Sequence, residues 1–295
     1  MFNIQSASTQ LLFSTVRIES QLADNATSFG TAFFFTYHLG QKRAATLLVT
    51  NKHVVAGATF GRFYVHEALV NSSEKREPAP ASFEIELPNF EQSWFMHPDP
   101  SVDLCVMPFE PLRRQAEILG REVFCCPLDE AFIADQQTLE NLAALEDVVM
   151  VGYPIGLWDS TNNLPILRRG VTASHPATNF QGKEQGVVDM ACFPGSSGSP
   201  VLILDEGVYT TPQGVSVGRR IHFLGVLFAG PMHRADGKIE IMEIPTHSVA
   251  VPVTTIPIHL GYYVKASALV SFKPFLLKAW KLDGAHGSGL ASDCR

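Results

Sequence analysis

No apolar run in this chain of 295 residues approaches the ~20 residues that a membrane-spanning helix needs. The N-terminus, Met1-Phe2-Asn3-Ile4-Gln5-Ser6, lacks the basic start and apolar stretch of a secretory signal. Cysteine is scarce. The five are Cys105, Cys125, Cys126, Cys192 and Cys294. An odd number with two adjacent suits reduced thiols better than a disulfide framework. These absences together predict a cytoplasmic protein without a membrane partner. On that reading the glycosylation-like triplets Asn25-Ala26-Thr27 and Asn71-Ser72-Ser73 are chance matches.

Positive charge is also short. Lys and Arg number 22 against 29 Asp and Glu, giving a net charge of −7. That excludes a nucleic-acid surface built on bulk positive charge. The pairs Arg168-Arg169 and Arg219-Arg220 read as solvated edges. The ten histidines are scattered, with neither His-Glu-x-x-His nor a Cys/His array at ligand spacing. No phosphate-cradling loop ending in Lys-Ser/Thr is present. Neither a metal nor a cofactor is expected.

What remains is a chain that is 46% hydrophobic and 17% charged, enough to bury a sizeable core. One stretch organises it: Phe193-Pro194-Gly195-Ser196-Ser197-Gly198-Ser199-Pro200-Val201. Clusters of this kind mark turns, and most do no chemistry. Here Gly195 and Gly198 bracket a serine pair and permit conformations denied to residues with a Cβ. Such a loop can point a hydroxyl outward and gather backbone N–H groups around a developing oxyanion. A serine becomes a nucleophile only with a base to take its proton and a third group to orient that base. Thr50-Asn51-Lys52-His53 places a histidine just after an apolar strand. Asp103-Leu104-Cys105-Val106 places an acid where a polar turn enters one. Asp99 is the rival acid, but Pro98 and Pro100 around it suggest a loop role. Asp189 reads as a strand residue outside the site.

Taken in the order His53, Asp103, Ser197, these motifs resemble the chymotrypsin-like (trypsin-like, bacterial-type) serine peptidases. That family has Thr-x-x-His, Asp-(apolar)-x-(apolar) and Gly-x-Ser-Gly-x-Pro, the last read here as Gly195-Ser196-Ser197-Gly198-Ser199-Pro200. The α/β-hydrolase alternative fails because position 199 is Ser and because its order runs Ser, acid, His. The resemblance covers roughly residues 8–282. It implies an all-β fold of two six-stranded antiparallel barrels with a C-terminal helix. The expected divisions are a first barrel at 8–115, a connection at 116–146, a second barrel at 147–265, a helix at 266–282 and a disordered tail at 283–295.

It also implies a serine endopeptidase acting on protein or peptide substrates. Ser197 is the expected nucleophile, His53 the base and Asp103 its orienter, with Gly195 and Ser197 N–H groups as the oxyanion hole. The pocket for the side chain before the cut falls on Ala191, Cys192, Leu227, Phe228, Ala229 and Gly230. This predicts a preference for small or medium apolar side chains. A basic preference requires an acid from another loop, such as Glu240 or Glu243. Ser196 stands where many relatives carry an acid that pairs with a new N-terminus. Control by an activating partner, ordering loops within 157–185 or 205–259, is therefore an expectation. A catalytically silent double-barrel binding module and an esterase remain open alternatives, since fold alone does not choose among them.

Local patterning supplies the remaining expectations. Strands are predicted at 8–18, 30–37, 44–50, 60–65, 83–87, 103–109, 147–152, 169–173, 186–190, 201–204 and 221–227, with loops at 71–81 and 205–219, and residues 261–267 resemble the family's last strand and its run into a closing helix. Residues 231–259 read as a long insertion. A short helix at 138–145, capped by Thr138, puts Leu139, Leu142 and Leu145 on one face. A closing helix at 267–282 carries Leu269, Phe272, Phe275, Leu276 and Trp280 at helical spacing, with Pro274 as a kink or a second start.

Overall fold

The computed structural model describes residues 4–24, 26–40, 43–70, 76–211, 214–230, 232–236, 253–257 and 259–280. The expected tail, residues 281–282 of the closing helix, Glu240, Glu243, Asn25, Asn71 and Cys294 lie outside them. In chain order the first half runs α1 (Ala7–Leu11), β1 (Thr15–Leu22), β2 (Thr27–His38), β3 (Ala44–Thr50), α2 (Lys52–Val55), β4 (Ala58–Val70), β5 (Arg76–Pro88), β6 (Phe95–Met96) and β7 (Cys105–Pro108). A connecting region follows: α3 (Glu110–Ile118), β8 (Val123–Phe124), β9 (Leu128–Asp129) and α4 (Gln136–Glu140). The second half is β10 (Asp147–Gly152), β11 (Ile166–Thr172), β12 (Gln185–Asp189), β13 (Pro200–Thr211), β14 (Gly214–Ala229), β15 (Met232–Asp236), β16 (Val253–Pro257), β17 (Leu260–Lys265) and α5 (Ser267–Ala279).

The first half makes a sheet in the order β5-β4-β1-β2-β3-β7-β6, with β8 on β4 and β9 parallel to β2. It has nine strands rather than six: seven lie on this path, and the connecting region lends two short ones. The second half closes a six-stranded antiparallel barrel, β10-β11-β12-β17-β14-β13. β15 and β16 pair separately within the expected insertion.

Side chains alternate across a strand, so two-sided burial demands an unbroken apolar run. β2 shows the consequence. Ala32 and Phe34 enter the core of the first sheet, while Phe33, Phe35 and Tyr37 face the other way. β3 divides likewise, with Leu48 inward and Leu47 and Val49 outward. From the second barrel, Val151, Leu202, Phe223 and Val226 join the outward set. Val148, Met150, Val201, Ile203 and Leu224 fill that barrel's own core. Three cores result, and the middle one is shared by both halves. Phe223 sits at its centre, 5.5 Å from the Phe33 ring and 6.1 Å from Phe35. Removing a buried ring of this kind costs about 3–5 kcal/mol.

α5 seals the shared core with Leu269, Phe272 and Leu276, all fully buried. The Tyr37 hydroxyl donates to Leu269 O at 2.6 Å, tying the helix to β2. Pro274 lies inside one continuous helix. Val270, whose carbonyl the missing N–H would have met, is half-exposed. Phe275 is also partly exposed, so it is not part of the buried face expected for it.

Local differences have local causes. Residues 8–18 are not one strand: Ser6 accepts from Thr9 N at 3.2 Å and starts α1, with Ala7 and Leu11 buried one turn apart. In α4 the cap is Asp135, which accepts from Thr138 N at 2.7 Å, and the helix ends at Glu140. Residues 76–81 belong to β5, not to a loop. β13 and β14 continue past the barrel through the expected loop at 205–219, pairing from Pro200–Val226 out to Thr211–Gly214.

His66 on β4 packs edge-on against Phe13 at 4.8 Å. Burial pushes its imidazole down from 6.5 to about 4, a hydrogen bond to the Asn163 backbone offsetting only part of this. Between those values the unfolded chain binds a proton that the folded chain refuses. Stability therefore falls as pH drops through this window, by about 3 kcal/mol in all. We predict that His66→Phe flattens this response. In urea unfolding, its loss of stability from pH 7 to pH 4.5 is smaller than that of wild type by about 2 kcal/mol.

Candidate active site

The site lies where the two halves meet. β3 ends in Thr50, and the single turn α2 then carries His53, anchored beneath by buried Val54 and Val55. Asn51 Nδ2 donates to Asp103 O at 2.7 Å, pinning this turn to the segment that enters β7. The Asp103 carboxylate takes two bonds from one residue. Its Oδ2 lies 2.6 Å from His53 Nδ1, and its Oδ1 accepts the His53 backbone N–H at 3.2 Å. With Nδ1–H donating to a carboxylate, a neutral imidazole keeps its lone pair on Nε2, which is the tautomer a base requires.

Asp99 is occupied elsewhere. It accepts from Ser101 N at 2.8 Å and Ser101 Oγ at 2.7 Å, and these bonds hold its carboxyl below the usual carboxylate range. Its carbonyl takes the Lys52 ammonium at 2.8 Å. Asp189 is exposed at the end of β12.

The small-residue loop precedes β13. Ser196 N donates to Phe193 O at 3.0 Å and Gly195 has φ +87°. With Pro194 second and Gly195 third, Phe193-Pro194-Gly195-Ser196 is a type II turn. Pro194 O accepts from Ile155 N at 2.5 Å. A trans peptide directs its C=O and N–H oppositely, so the Gly195 N–H is turned away from Ile155. Among the described residues, neither the Gly195 nor the Ser197 N–H meets an acceptor. Ile155 makes its bond from a left-handed conformation, φ +54° and ψ +25°, with its side chain 71% exposed. A β-branched residue is strained there, and no packing compensates at its tip.

Gly198 cannot carry a side chain. Its φ is +87°, and a Cβ would lie 1.9 Å from Thr31 O and 2.4 Å from Thr50 Oγ1. This close approach is what brings the Ser197 loop onto β2 and the end of β3. Gly198 N donates to Leu227 O at 2.8 Å, and Leu227 N donates to Ser199 O at 2.9 Å, joining the loop to β14. The Ser197 hydroxyl donates to Phe228 O at 3.4 Å. His53 and Asp103 are thus in contact, while Ser197 makes no hydrogen bond to His53 among the described residues.

A pocket of about 120 Å³ opens beside Ser197, lined by Cys192, Phe193, Pro194, Ser197, Leu227, Ala229 and Gly230. Two expected lining residues are absent from it. The Ala191 carbonyl is held by Arg168 Nη1 at 2.9 Å, outside the pocket. The Phe228 ring points off the other face of β14, toward Tyr262 at 6.4 Å. Burial pushes the Cys192 thiol up to about 11, so at neutral pH the lining carries no charge. Gly261 backs the pocket: a Cβ there would stand 2.5 Å from Cys192 Sγ and 2.7 Å from Leu227 Cδ1.

Four participants escape a reading by motif. Phe193 and Pro194 line the pocket, though they were legible only as turn residues. Ile155 holds the turn from within Gly152-Tyr153-Pro154-Ile155-Gly156, and no residue type there marks the contact. Thr31, next to the aromatic run of β2, gave no signal of its contact with the loop. Among the described residues, no group of His, Cys, Asp and Glu could hold a metal ion, and no helix is long and apolar enough to cross a membrane.

The fold is similar to the Rv3671c protease from M. tuberculosis in its active form, at 15% identity and a TM-score of 0.44, covering 97% of this chain and 88% of that one. It is also similar to the HtrA-type protease AlgW with tripeptide, at 12% identity and a TM-score of 0.45. That match covers 93% of this chain but 63% of AlgW, less than two thirds of its length. No curated protein matches the sequence. The family model for the trypsin-like peptidase domain matches residues 30–209, more than half of the chain, and that span holds His53, Asp103 and the whole Ser197 loop. The chain therefore belongs to the trypsin-like peptidases and is a serine-type hydrolase.

Proposed function

We propose that this chain is an endopeptidase in which Ser197, His53 and Asp103 act as one unit through an acyl-enzyme. The carrying observation is the 2.6 Å contact between His53 Nδ1 and Asp103, beside a serine loop in which the Gly195 and Ser197 N–H groups meet no acceptor among the described residues. Substrate entry exchanges the long Ser197–Phe228 bond for one to His53 Nε2, since such bonds commonly tighten only in the complex. Ser197 Oγ attacks the scissile carbonyl carbon while His53 takes its proton. The carbonyl oxygen becomes an oxyanion between the Gly195 and Ser197 N–H groups. His53 then protonates the leaving amine, and the C–N bond breaks. Water repeats the sequence on the acyl-enzyme and releases Ser197. Asp103 keeps the imidazole in its tautomer and stabilises the imidazolium.

The uncharged pocket over Cys192, Leu227, Ala229 and Gly230 supports small or medium apolar side chains before the cut. Among the described residues no disulfide joins Cys105, Cys125, Cys126 or Cys192, which supports a reducing compartment, with limited, regulated proteolysis as the role. One observation favours a silent binding module instead: the Ser197 hydroxyl is directed to Phe228 O and not to His53.

Fluorophosphonate labelling decides between them. Wild type is expected to label, and Ser197→Ala and His53→Ala are expected not to. Asp103→Asn, which favours the wrong tautomer, lowers turnover by about 10⁴. A wild type that never labels, alone or with candidate activators, leaves the silent module standing. Labelling with hydrolysis of small esters but never of peptides means an esterase. In a peptide library, cleavage is expected after residues such as Ala, Val and Leu. A profile dominated by Arg or Lys overturns the pocket assignment.

A further inference from the structure

Thr31 is fully buried on β2, and its polar atoms tie the end of β3 to Tyr153 and the Ser197 loop of the second half. Its N–H donates to Ser197 O at 2.9 Å. Its carbonyl accepts from Thr50 Oγ1 at 2.6 Å, three residues before His53. Its hydroxyl accepts from Tyr153 N at 3.1 Å and donates to Gly195 O at 3.0 Å. The direction of the last bond is forced. A hydroxyl has one proton, and with the Tyr153 N–H aimed at the oxygen, that proton is free only for Gly195 O.

We propose that Thr31 is a positioning residue whose hydroxyl holds the oxyanion hole in its donating form. This rests on the peptidase reading above. Gly195 is flanked by two peptide units, and both carbonyls are held. Ile155 N–H takes Pro194 O, and Thr31 Oγ takes Gly195 O. Each trans peptide then sends its N–H the other way. The Gly195 N–H turns from Ile155, and the Ser196 N–H turns from Thr31 to close the turn on Phe193 O. Type II and type I turns differ mainly by a flip of the central peptide. The flipped form would offer the oxyanion the Pro194 carbonyl instead of the Gly195 N–H. The two carbonyl anchors oppose that flip. The Tyr153 N–H ties them together, because it stands two residues before Ile155 and fixes the hydroxyl that holds the other side.

The test compares full-length wild type with Thr31→Val, Thr31→Ala and Thr31→Ser, well below each protein's Tm. Loss of a hole donor outright costs about 10²–10³ in rate. Loss of its anchor is expected to lower kcat about 10- to 100-fold, with KM changed by less than about threefold. Affinity for a peptide boronate, which mimics the tetrahedral state, falls with kcat. Thr31→Ser keeps the hydroxyl and restores kcat to within about threefold of wild type. A merely structural role moves Tm but not this split. Wild-type kcat in Thr31→Ala or Thr31→Val overturns the proposal, as does a Thr31→Ser variant impaired as much as Thr31→Val. The Tyr153 and Gly195 amide resonances in ¹⁵N NMR give a readout independent of turnover. They are expected to shift in Thr31→Val or Thr31→Ala and to stay in Thr31→Ser; resonances unmoved in all overturn the proposal. A wild type without labelling or hydrolysis instead fails the peptidase reading, and the resonances still decide the Thr31–Gly195 bond.

Discussion

Burial of the same strands on both faces shapes everything else in this molecule. β2, β3, β7, β10, β13 and β14 each give alternate residues to one sheet's own core and to the layer shared by the two. Side chains in that layer pack at crystal-like density, so neither half can slide against the other without opening voids. Phe33, Phe35, Tyr37 and Phe223 interlock there, and α5 closes the open side. The shared layer is thus a rigid joint, not a hinge.

The active site inherits that rigidity. His53 and Asp103 come from the first sheet, while Ser197 and its turn come from the second barrel. Nothing within either half alone could hold the serine loop near the histidine. The register is set by a few close backbone approaches at the edge of the joint. Gly198 lets the loop meet Thr31 O and Thr50 Oγ1. Gly152 permits another, where a Cβ would fall 2.8 Å from Thr31 Oγ1. A methyl group at either position would clash across the boundary between the halves.

Legibility followed from what each feature depends on. The strand cores from 44 to 50 and from 147 to 152 were readable because continuous β-branched and apolar runs have one economical use, a strand buried on both sides. The His53–Asp103 contact was readable because the chemistry proposed for this site demands particular residue types in a particular setting. Elements governed by a single polar side chain were not. Ser6 converted an apparent strand start into α1, and Asp135 displaced Thr138 as the cap of α4. The long extension of β13 and β14 was hidden because Asp205, Glu206 and Gly207 look like a loop, yet they pair with Arg220, Arg219 and Gly218 across the hairpin. The pocket was half legible. Strand alternation separates Leu227 and Ala229 from Phe228, and the irregular register between β14 and β17 at that point is invisible in the letters. Contacts made through the backbone, such as Ile155 with Pro194, leave no trace in residue type.

The manner in which the oxyanion turn is held also bears on what can control it. Ser196, next to Ser197, is fully buried, and its hydroxyl has no partner among the described residues. Among the described residues no ion pair holds the turn from that side. A buried ion pair carries a desolvation penalty of several kcal/mol per charge and depends on the ionisation of both partners. The bonds that do hold the turn, from Ile155 N–H and Thr31 Oγ, join neutral groups, and neither titrates near neutral pH. The turn therefore needs no new N-terminus to form. Its weak point is conformational: Ile155 must remain in a left-handed conformation that a β-branched residue resists. Releasing that strain would let go of the Pro194 carbonyl and leave Thr31 as the remaining anchor. A partner that acts on this site through the loop after β10 would work against a few neutral hydrogen bonds rather than against a salt bridge, so modest binding energy would suffice to open or close it.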